Sequence, residues 1–407
     1  MGNSKIWYRY ILSIVFASML LAVPYVFRQF LPVPSEKIIL VAMCGLLLLP
    51  FMVKKQFNFP QMAFMLCAII QIACWLLYAV IHNDNSYITR IFYVFFTFLM
   101  IAALSNFGKV EDFVRRNNIL LCAQAVMGLL AFALVFVGLL PYIFTFANPD
   151  GRTAFCFGLT CTNAVFGNII RPAGFFDEPG ALAAWGMYAL VLNQIFIKNK
   201  KVEIALILGL LSTLSMAYYI QLLLYILFFK IRFNRQTLLL LVAVLSVASY
   251  VYALGPDNSL YQLTFGRFET DRYGNLETNR DDLMYKAEKL YQKSPVWGNG
   301  AENIEKGEYI ADNPYESLAT DGIVGTIIIY LPLIVIILKN INRKEIIFGV
   351  IIIAVGYLQR PFHLNVLNYI MLFSFLYLGT TKEKLPTNIN QSKIYGKAIG
   401  NSNHSVL

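Results

Sequence analysis

The stretch Ile119-Leu-Leu-Cys-Ala-Gln-Ala-Val-Met-Gly-Leu-Leu-Ala-Phe-Ala-Leu-Val-Phe-Val137 contains no charged residue. An α-helix needs about 20 consecutive apolar residues to cross the hydrocarbon core of a bilayer. Several other runs of this kind follow one another along the 407-residue chain. Because helices satisfy their own backbone hydrogen bonds in lipid, the pattern predicts an all-α polytopic membrane protein.

The composition supports this class. Hydrophobic residues make up 58% of the chain and charged residues 14%, whereas a soluble domain carries about 25% charged residues. Hydropathy predicts about twelve transmembrane helices, near 8–30, 37–53, 60–81, 90–106, 119–145, 178–197, 202–214, 216–229, 236–254, 319–338, 346–358 and 365–379. The short pair 202–214 and 216–229 has an alternative as one long tilted helix, which would change the count.

Residues 1–380 are therefore expected to form a single integral membrane domain. The first span lacks a small-residue cleavage site, so we expect it to be retained instead of being removed as a signal peptide. The polar segment 381–407 is expected to be a disordered tail. Cytoplasmic loops are enriched in Lys and Arg, and every second loop is basic if 202–229 crosses twice, so both termini are predicted to be cytoplasmic. The net charge of +10 fits this orientation and anionic lipid, with no indication of nucleic acid as a partner.

Two segments on the opposite, periplasmic face are too polar to be simple connections. One is 146–177 and the other is the long loop 255–318, and loops of such length are usually functional or disordered. The second loop contains an amphipathic helical pattern over 280–292, followed by turn residues between 295 and 300. The spans themselves look almost free of Lys, Arg, Asp and Glu, which places the polar chemistry at the outer surface.

The stretch Arg171-Pro-Ala-Gly-Phe-Phe-Asp-Glu178-Pro179 carries ionisable groups at the mouth of a span, where they are expensive and are function candidates by default. Other arginines are expected on the same face, which is normally poor in them: Arg152, Arg267, Arg272, Arg280 and Arg360. A guanidinium grips phosphate with two parallel hydrogen bonds, so the set indicates a diphosphate ligand. Pairing with loop carboxylates or with lipid phosphates is the structural alternative for each arginine.

The stretch 171–179 resembles the R-x-x-G-x-F-x-E-P signature of bacterial O-antigen polymerases of the Wzy type. Two later stretches are similar to further motifs of this family, in the same order. They are Arg280-Asp-Asp-Leu-Met-Tyr-Lys-Ala-Glu-Lys-Leu-Tyr-Gln-Lys-Ser-Pro295-Val-Trp-Gly298-Asn-Gly300 and Asp312-Asn-Pro-Tyr315-Glu-Ser-Leu-Ala-Thr-Asp-Gly322-Ile-Val-Gly325. The resemblance covers about 171–330 and implies a GT-C-like glycosyltransferase of the bacterial inner membrane.

Such a polymerase would join undecaprenyl-diphosphate-linked oligosaccharides, one as donor and one as acceptor. It would need no cofactor and no metal, and a chain-length regulator and a flippase would be its expected partners. Arg171 and Arg280 are the candidates to stabilise the diphosphate leaving group. Glu178 is the first candidate for the general base, with Asp281 or Asp312 behind it. The candidate substrate-binding residues are Arg152, Arg267, Arg272, Asn313, Tyr315, Arg360 and His363.

Three other functions remain open. An O-antigen ligase is the nearest, although the histidine that ligases carry in the long loop corresponds here to Asp312. A lipid-linked oligosaccharide flippase would need charged residues along its spans, and a scaffold protein would need no arginine set. Cys156 and Cys161 lie together on the outer face, either as a disulfide or as two free thiols.

Overall fold

The fold is given by a computed structural model, which describes residues 60–147, 152–231, 249–258, 261–262, 280–302, 304, 310, 313–359 and 365–381, with residues 6, 9–14, 47, 242 and 246. The architecture is 72% helical, with few strands. Five of the described helices are long and apolar enough to cross a membrane. The chain is therefore a mostly helical membrane protein. The predicted spans 8–30, 37–53 and 236–254 lie largely outside the described residues, so the count of twelve stays a prediction, and the tail beyond residue 381 also lies outside them.

We label the main helices α1 to α11 in chain order. The first six are α1 (Met62–His82), α2 (Ser86–Asn106), α3 (Val110–Phe136), α4 (Pro179–Leu192), α5 (Lys200–Leu211) and α6 (Met216–Phe229). A π-helical turn, Asn193–Ile197, extends α4. The others are α7 (Arg280–Lys293), α8 (Glu316–Ile329), α9 (Leu331–Lys339), α10 (Lys344–Gln359) and α11 (Val366–Thr381).

Most of the predicted spans within the described residues correspond to helices whose ends lie close to the predicted ones. The amphipathic pattern over 280–292 is confirmed as α7, and the turn residues after it include Gly298 and Gly300, both with positive φ. The span predicted at 119–145 is the main exception, since α3 runs from Val110 to Phe136. Hydropathy locates the apolar part of a helix but not a polar extension such as the first turns of α3. At its other end, Gly138 with a φ of +75° ends the helix.

Short β-strands occupy part of the segment 144–170, where the sequence predicted no strand. β1 (Phe144–Ala147), β2 (Thr153–Cys156) and β3 (Cys161–Thr162) form an antiparallel sheet in that order, and β4 (Val165–Phe166) pairs with β5 (Ile169–Ile170). Strands this short carry no readable two-residue period. Cys156 and Cys161 lie opposite each other in the β2–β3 register and are free thiols, which is one of the two expected alternatives.

Helices joined by a short turn run in opposite directions, except that α8 and α9 continue as one span, Glu316–Lys339, so the described connections collect at two ends of the bundle. One end carries the turn after α1, the segment from α3 to α4, the turn 212–215 between α5 and α6, and the segment before α8. The opposite end carries the turns 107–109, 198–199 and 340–343. We call the first the loop-rich end. The loops predicted to be periplasmic lie at this end wherever they are described.

Close helix packing fixes how the segment between α3 and α4 meets the bundle. A Cβ added to Gly209 of α5 would lie 2.7–2.8 Å from the Ala125 backbone of α3, so these helices touch almost backbone to backbone. Further along α3, a Cβ on Gly128 would lie 2.9 Å from Pro172 Cβ. The residue after Arg171 therefore packs against the middle of α3, not against its end.

Candidate functional site

The main chain around Arg171 is held by hydrogen bonds from two sides. Thr162 Oγ1 donates to Arg171 O at 2.5 Å, and Arg171 N donates to Ala164 O at 3.0 Å. Four residues further on, Phe175 N donates to Oε1 of the buried Gln124 in α3 at 3.2 Å. The segment that leads from β5 into α4 is thus a fixed part of the fold.

The guanidinium of Arg171 reaches the turn between α5 and α6. Its Nε donates to Thr213 O at 3.0 Å, and the side chain is half-buried. Carbonyl groups just beyond a helix end lack helical partners and carry the negative end of the helix dipole, so a cation is favourable there. Arg171 therefore has a structural contact that the sequence did not indicate. Its contact with a diphosphate stays a prediction.

Glu178 lies immediately before α4 in extended conformation, with φ −151° and ψ 157°, and Pro179 occupies the first turn. The side chain makes no capping hydrogen bond to the helix. Its carboxylate is 15% exposed, and Oε2 lies 4.0 Å from Nη2 of Arg152, whose side chain is 59% exposed. An ion pair this long and this open to water contributes little to stability. The structure thus brings two predicted site residues together, with Glu178 on the sheltered side.

The structure describes only part of the remaining candidate residues. Arg280 and Asp281 form the first turn of α7, and only their helical backbone is described. Arg267, Arg272, Asp312, Arg360 and His363 lie outside the described residues. Their predicted roles remain predictions.

Asn313 and Tyr315 build the start of α8. Asn313 is buried; its Nδ2 donates to Ile310 O, and its Oδ1 accepts from Tyr315 N at 2.9 Å. Tyr315 is half-buried, and its ring centroid lies 6.3 Å from that of Tyr291 in α7. The Asn313 amide is thus engaged within its own turn, and contact of either residue with a sugar stays a prediction.

Two motifs that are separate in the sequence meet at a break in α8. Gly322 has φ 65° and ψ −173°, which is not helical and lies in a region that almost only glycine adopts. The segment 295–300 runs alongside and supplies the backbone partners that the broken helix lacks. The bonds are Asn299 N to Ala319 O at 3.0 Å, Gly300 N to Thr320 O at 3.0 Å, Ile323 N to Pro295 O at 2.9 Å and Val324 N to Val296 O at 3.2 Å. We call this arrangement the α8 break.

A buried ion pair lies beside the α8 break, and the sequence analysis missed it. Arg90 Nη1 of α2 lies 2.8 Å from Asp321 Oδ2, and both side chains have 0% exposure. The guanidinium carbon is 4.6 Å from the ring centre of Tyr87 and 4.9 Å from that of Trp75. The expectation that the spans are almost free of charge is therefore wrong at these positions. Each charge lies near the end of its predicted span, where it resembled an interfacial residue, and nothing local in the sequence indicates the pairing.

The turn between α1 and α2 is tied to the same region by Asp84. Its buried carboxylate accepts from Ser86 N at 2.8 Å through Oδ1 and from Glu302 N at 2.8 Å through Oδ2. Burial alone would raise the pKa of this carboxyl, but the hydrogen bonds from Glu302 and Ser86 outweigh it and hold the pKa below its ordinary value. The ionised carboxylate thus fastens the segment after Gly300 to the helix bundle.

Removing the Asp84 carboxylate is expected to make the free energy of unfolding depend less on pH. Because the pKa of Asp84 is lower in the folded than in the unfolded protein, its carboxylate stabilises the fold at pH values above the unfolded pKa of about 3.9. This contribution is lost as the pH falls through the pKa of the folded protein. We expect Asp84→Asn to lower stability by about 2 kcal/mol at pH 7, with a smaller difference from wild type below about pH 4. Thermal unfolding in detergent between pH 3 and 7 measures this, and a difference that does not change with pH would contradict it.

Two groups of candidate residues thus lie at the loop-rich end, one around Arg171 and Glu178 and the other around the α8 break. In the described part of the chain, no group of three or more His, Cys, Asp or Glu side chains is arranged to hold a metal ion. The arrangement offers arginines for anion binding and one sheltered carboxylate for proton transfer. No family model matches the chain, and no curated protein matches it either.

Proposed function

We propose that this protein polymerises undecaprenyl-diphosphate-linked oligosaccharide repeat units into O-antigen or a related surface polysaccharide at the periplasmic face of the bacterial inner membrane. The observation that carries the proposal is the common location of the motifs. The stretch 171–179, the segment 295–300 and the glycine motif around Gly322 all lie at the loop-rich end, although more than a hundred residues separate the first from the others. A common end of the bundle is what an enzyme acting on one lipid-linked substrate at one face requires.

The chemistry assigned to the site is a glycosyl transfer. A hydroxyl of the acceptor sugar attacks the anomeric carbon of the donor, the bond from that carbon to the diphosphate oxygen breaks, and undecaprenyl diphosphate leaves. The hydroxyl proton passes to the Glu178 carboxylate, which is sheltered but still reached by solvent. Arg171 and Arg280 are assigned to the charge that develops on the diphosphate. Arg152, at the exposed rim, is assigned to substrate capture.

The buried pair Arg90–Asp321 bears on the flippase alternative. A transporter places charged residues along a path through the membrane, facing a water-filled cavity. Here the two charges neutralise each other close to one end of α2 and α8, and both are inaccessible to solvent. This arrangement favours a role in shaping the loop-rich end over a role in passage.

A deletion strain tests the function. We expect its lipopolysaccharide to run on a gel as core plus a single repeat unit, and the ladder to return on complementation with the wild-type gene. Bare core, with long polymer retained on the lipid carrier, would instead identify a ligase. Loss of all periplasmic lipid-linked repeat units would identify a flippase. An unchanged ladder and unchanged capsule would overturn all three.

A further inference from the structure

We infer that Arg90 and Asp321 are positioning residues for the proposed transfer, because they fix the α8 break and, through it, the helix that carries Arg280. The fixation of the α8 break by this pair rests on the contacts below alone, whereas its role in transfer rests on the proposed function. Neither residue is assigned contact with substrate. Their effect would pass through the backbone of the segment 295–300 and through α7.

The first step is the fixation of the α8 break from outside its own helix. Three oxygens of Asp321 face the neighbouring helices: Oδ2 lies 2.8 Å from Arg90 Nη1 as an ion pair without favourable hydrogen-bond geometry, Oδ1 accepts from Tyr87 OH at 2.9 Å, and the main-chain oxygen accepts from Tyr78 OH at 2.8 Å. These partners belong to α1 and α2. The residue preceding the break therefore cannot rotate without giving up three contacts to two other helices.

The second step is that the α8 break, held by α1 and α2, in turn holds the segment 295–300. The backbone of this segment makes hydrogen bonds to α8 on both sides of Gly322. Gly298 of the segment and Gly322 of α8 face each other at close range. A Cβ on Gly298 would lie 2.3 Å from Thr320 O, and a Cβ on Gly322 would lie 2.3 Å from Val296 O. The segment and the break thus form one backbone unit that moves together.

The third step links this unit to α7. Asn299 Nδ2 donates to Leu290 O near the end of α7 at 2.7 Å and to Ala319 O at 2.8 Å, so one amide joins the two helices. Ala287 and Ala319 also share a small buried apolar cluster. Arg280 lies at the other end of α7, ten residues before Leu290, roughly 15 Å away at 1.5 Å per residue. A tilt of about 10° at the break would therefore displace Arg280 by about 3 Å, enough to remove a phosphate contact.

The energetics of the pair support positioning over stability. Replacing a buried ion pair by apolar residues is often neutral or stabilising, because the desolvation penalty offsets the attraction. Within the described part of the chain, the guanidinium nitrogens of Arg90 find no hydrogen-bond partner of favourable geometry despite the short approach to Asp321. A pair of this kind contributes little net stability but selects one orientation of the groups around it.

Hydrogen exchange of the purified full-length protein tests the inference without relying on activity. We expect Asp321→Asn to raise amide exchange in peptides covering 294–302 at least tenfold, while peptides of α3 exchange as in wild type. Glu203→Gln is the matched control, because Glu203 Oε1 also bonds a cation, Lys230, at 2.5 Å and a tyrosine hydroxyl, that of Tyr225, at 2.8 Å, but at the opposite end of the bundle. We expect no change in 294–302 for this control.

Activity per folded molecule gives the second readout, with lipid-linked repeat units as substrate. We expect Asp321→Asn to lower kcat at least tenfold with a smaller change in KM, and Asp321→Glu to recover part of the loss. Should Asp321→Asn fail to accumulate, Arg90→Lys serves instead, since it keeps the charge but not the planar contact with the rings. Unchanged exchange in 294–302, or an equal rise in α3, would overturn the inference. An inactive wild type would overturn only the proposed function and leave the exchange result standing.

Discussion

Arg171→Ala and Glu178→Gln are expected to abolish the polysaccharide ladder while the protein still accumulates in the membrane. Removing a group that stabilises developing charge lowers a rate by about 100- to 1,000-fold, and loss of a general base lowers it by a similar or larger factor. Arg171→Lys is expected to remain strongly impaired, because an ammonium cannot reproduce the planar fork of hydrogen bonds. The measurement is the ladder from a complemented deletion strain, normalised to membrane levels by blotting.

Arg115→Ala provides the control for these variants. Arg115 is exposed at the opposite end of the bundle and forms a 3.3 Å ion pair with Glu111, one turn away in α3. Such a pair contributes about 0.5 kcal/mol or less, so a full ladder is expected. A full ladder from well-expressed Arg171→Ala and Glu178→Gln as well would show that the site assignment is wrong.

Gly322→Ala and Gly298→Ala are expected to destabilise the fold strongly. A Cβ on either glycine would lie 2.3 Å from a backbone carbonyl oxygen on the other side of the α8 break, and backbone cannot move aside as a flexible side chain can. Backbone strain at positive φ adds about 1–3 kcal/mol and overpacking another 1–3 kcal/mol. The expected loss of about 3 kcal/mol or more should appear as low membrane levels and as a lowered unfolding temperature in detergent.

Gly138→Ala separates the two causes. Gly138 has a φ of +75°, comparable to those at the α8 break, but a Cβ there would meet nothing within 4 Å. It should therefore show the cost of φ alone, about 1 kcal/mol. Equal losses at Gly138 and Gly322 would mean that the close backbone approach contributes nothing.

The helices were readable from the sequence wherever one apolar run equals one helix, as for α1, α2 and α6. The polar first turns of α3 could not be predicted in this way, because hydropathy reports apolar composition and not backbone hydrogen bonding. The motifs around Arg171, Pro295 and Gly322 were visible as patterns, but the contact between the Pro295 and Gly322 motifs depends on the tertiary packing. Arg90 and Asp321 are separated by more than two hundred residues, and each alone resembles an interfacial charge.

The packing of Pro172 against Gly128 determines how deep Arg171 lies. From Gly128, α3 continues for eight residues to Phe136, a rise of about 12 Å. This part of α3 is apolar, and its Leu130 and Phe136 side chains are each about half exposed. The guanidinium of Arg171, which donates to Thr213 O, therefore lies well below the end of α3. The anionic headgroup proposed as its ligand would therefore have to reach below the end of α3, where less water screens a charge interaction than at the surface.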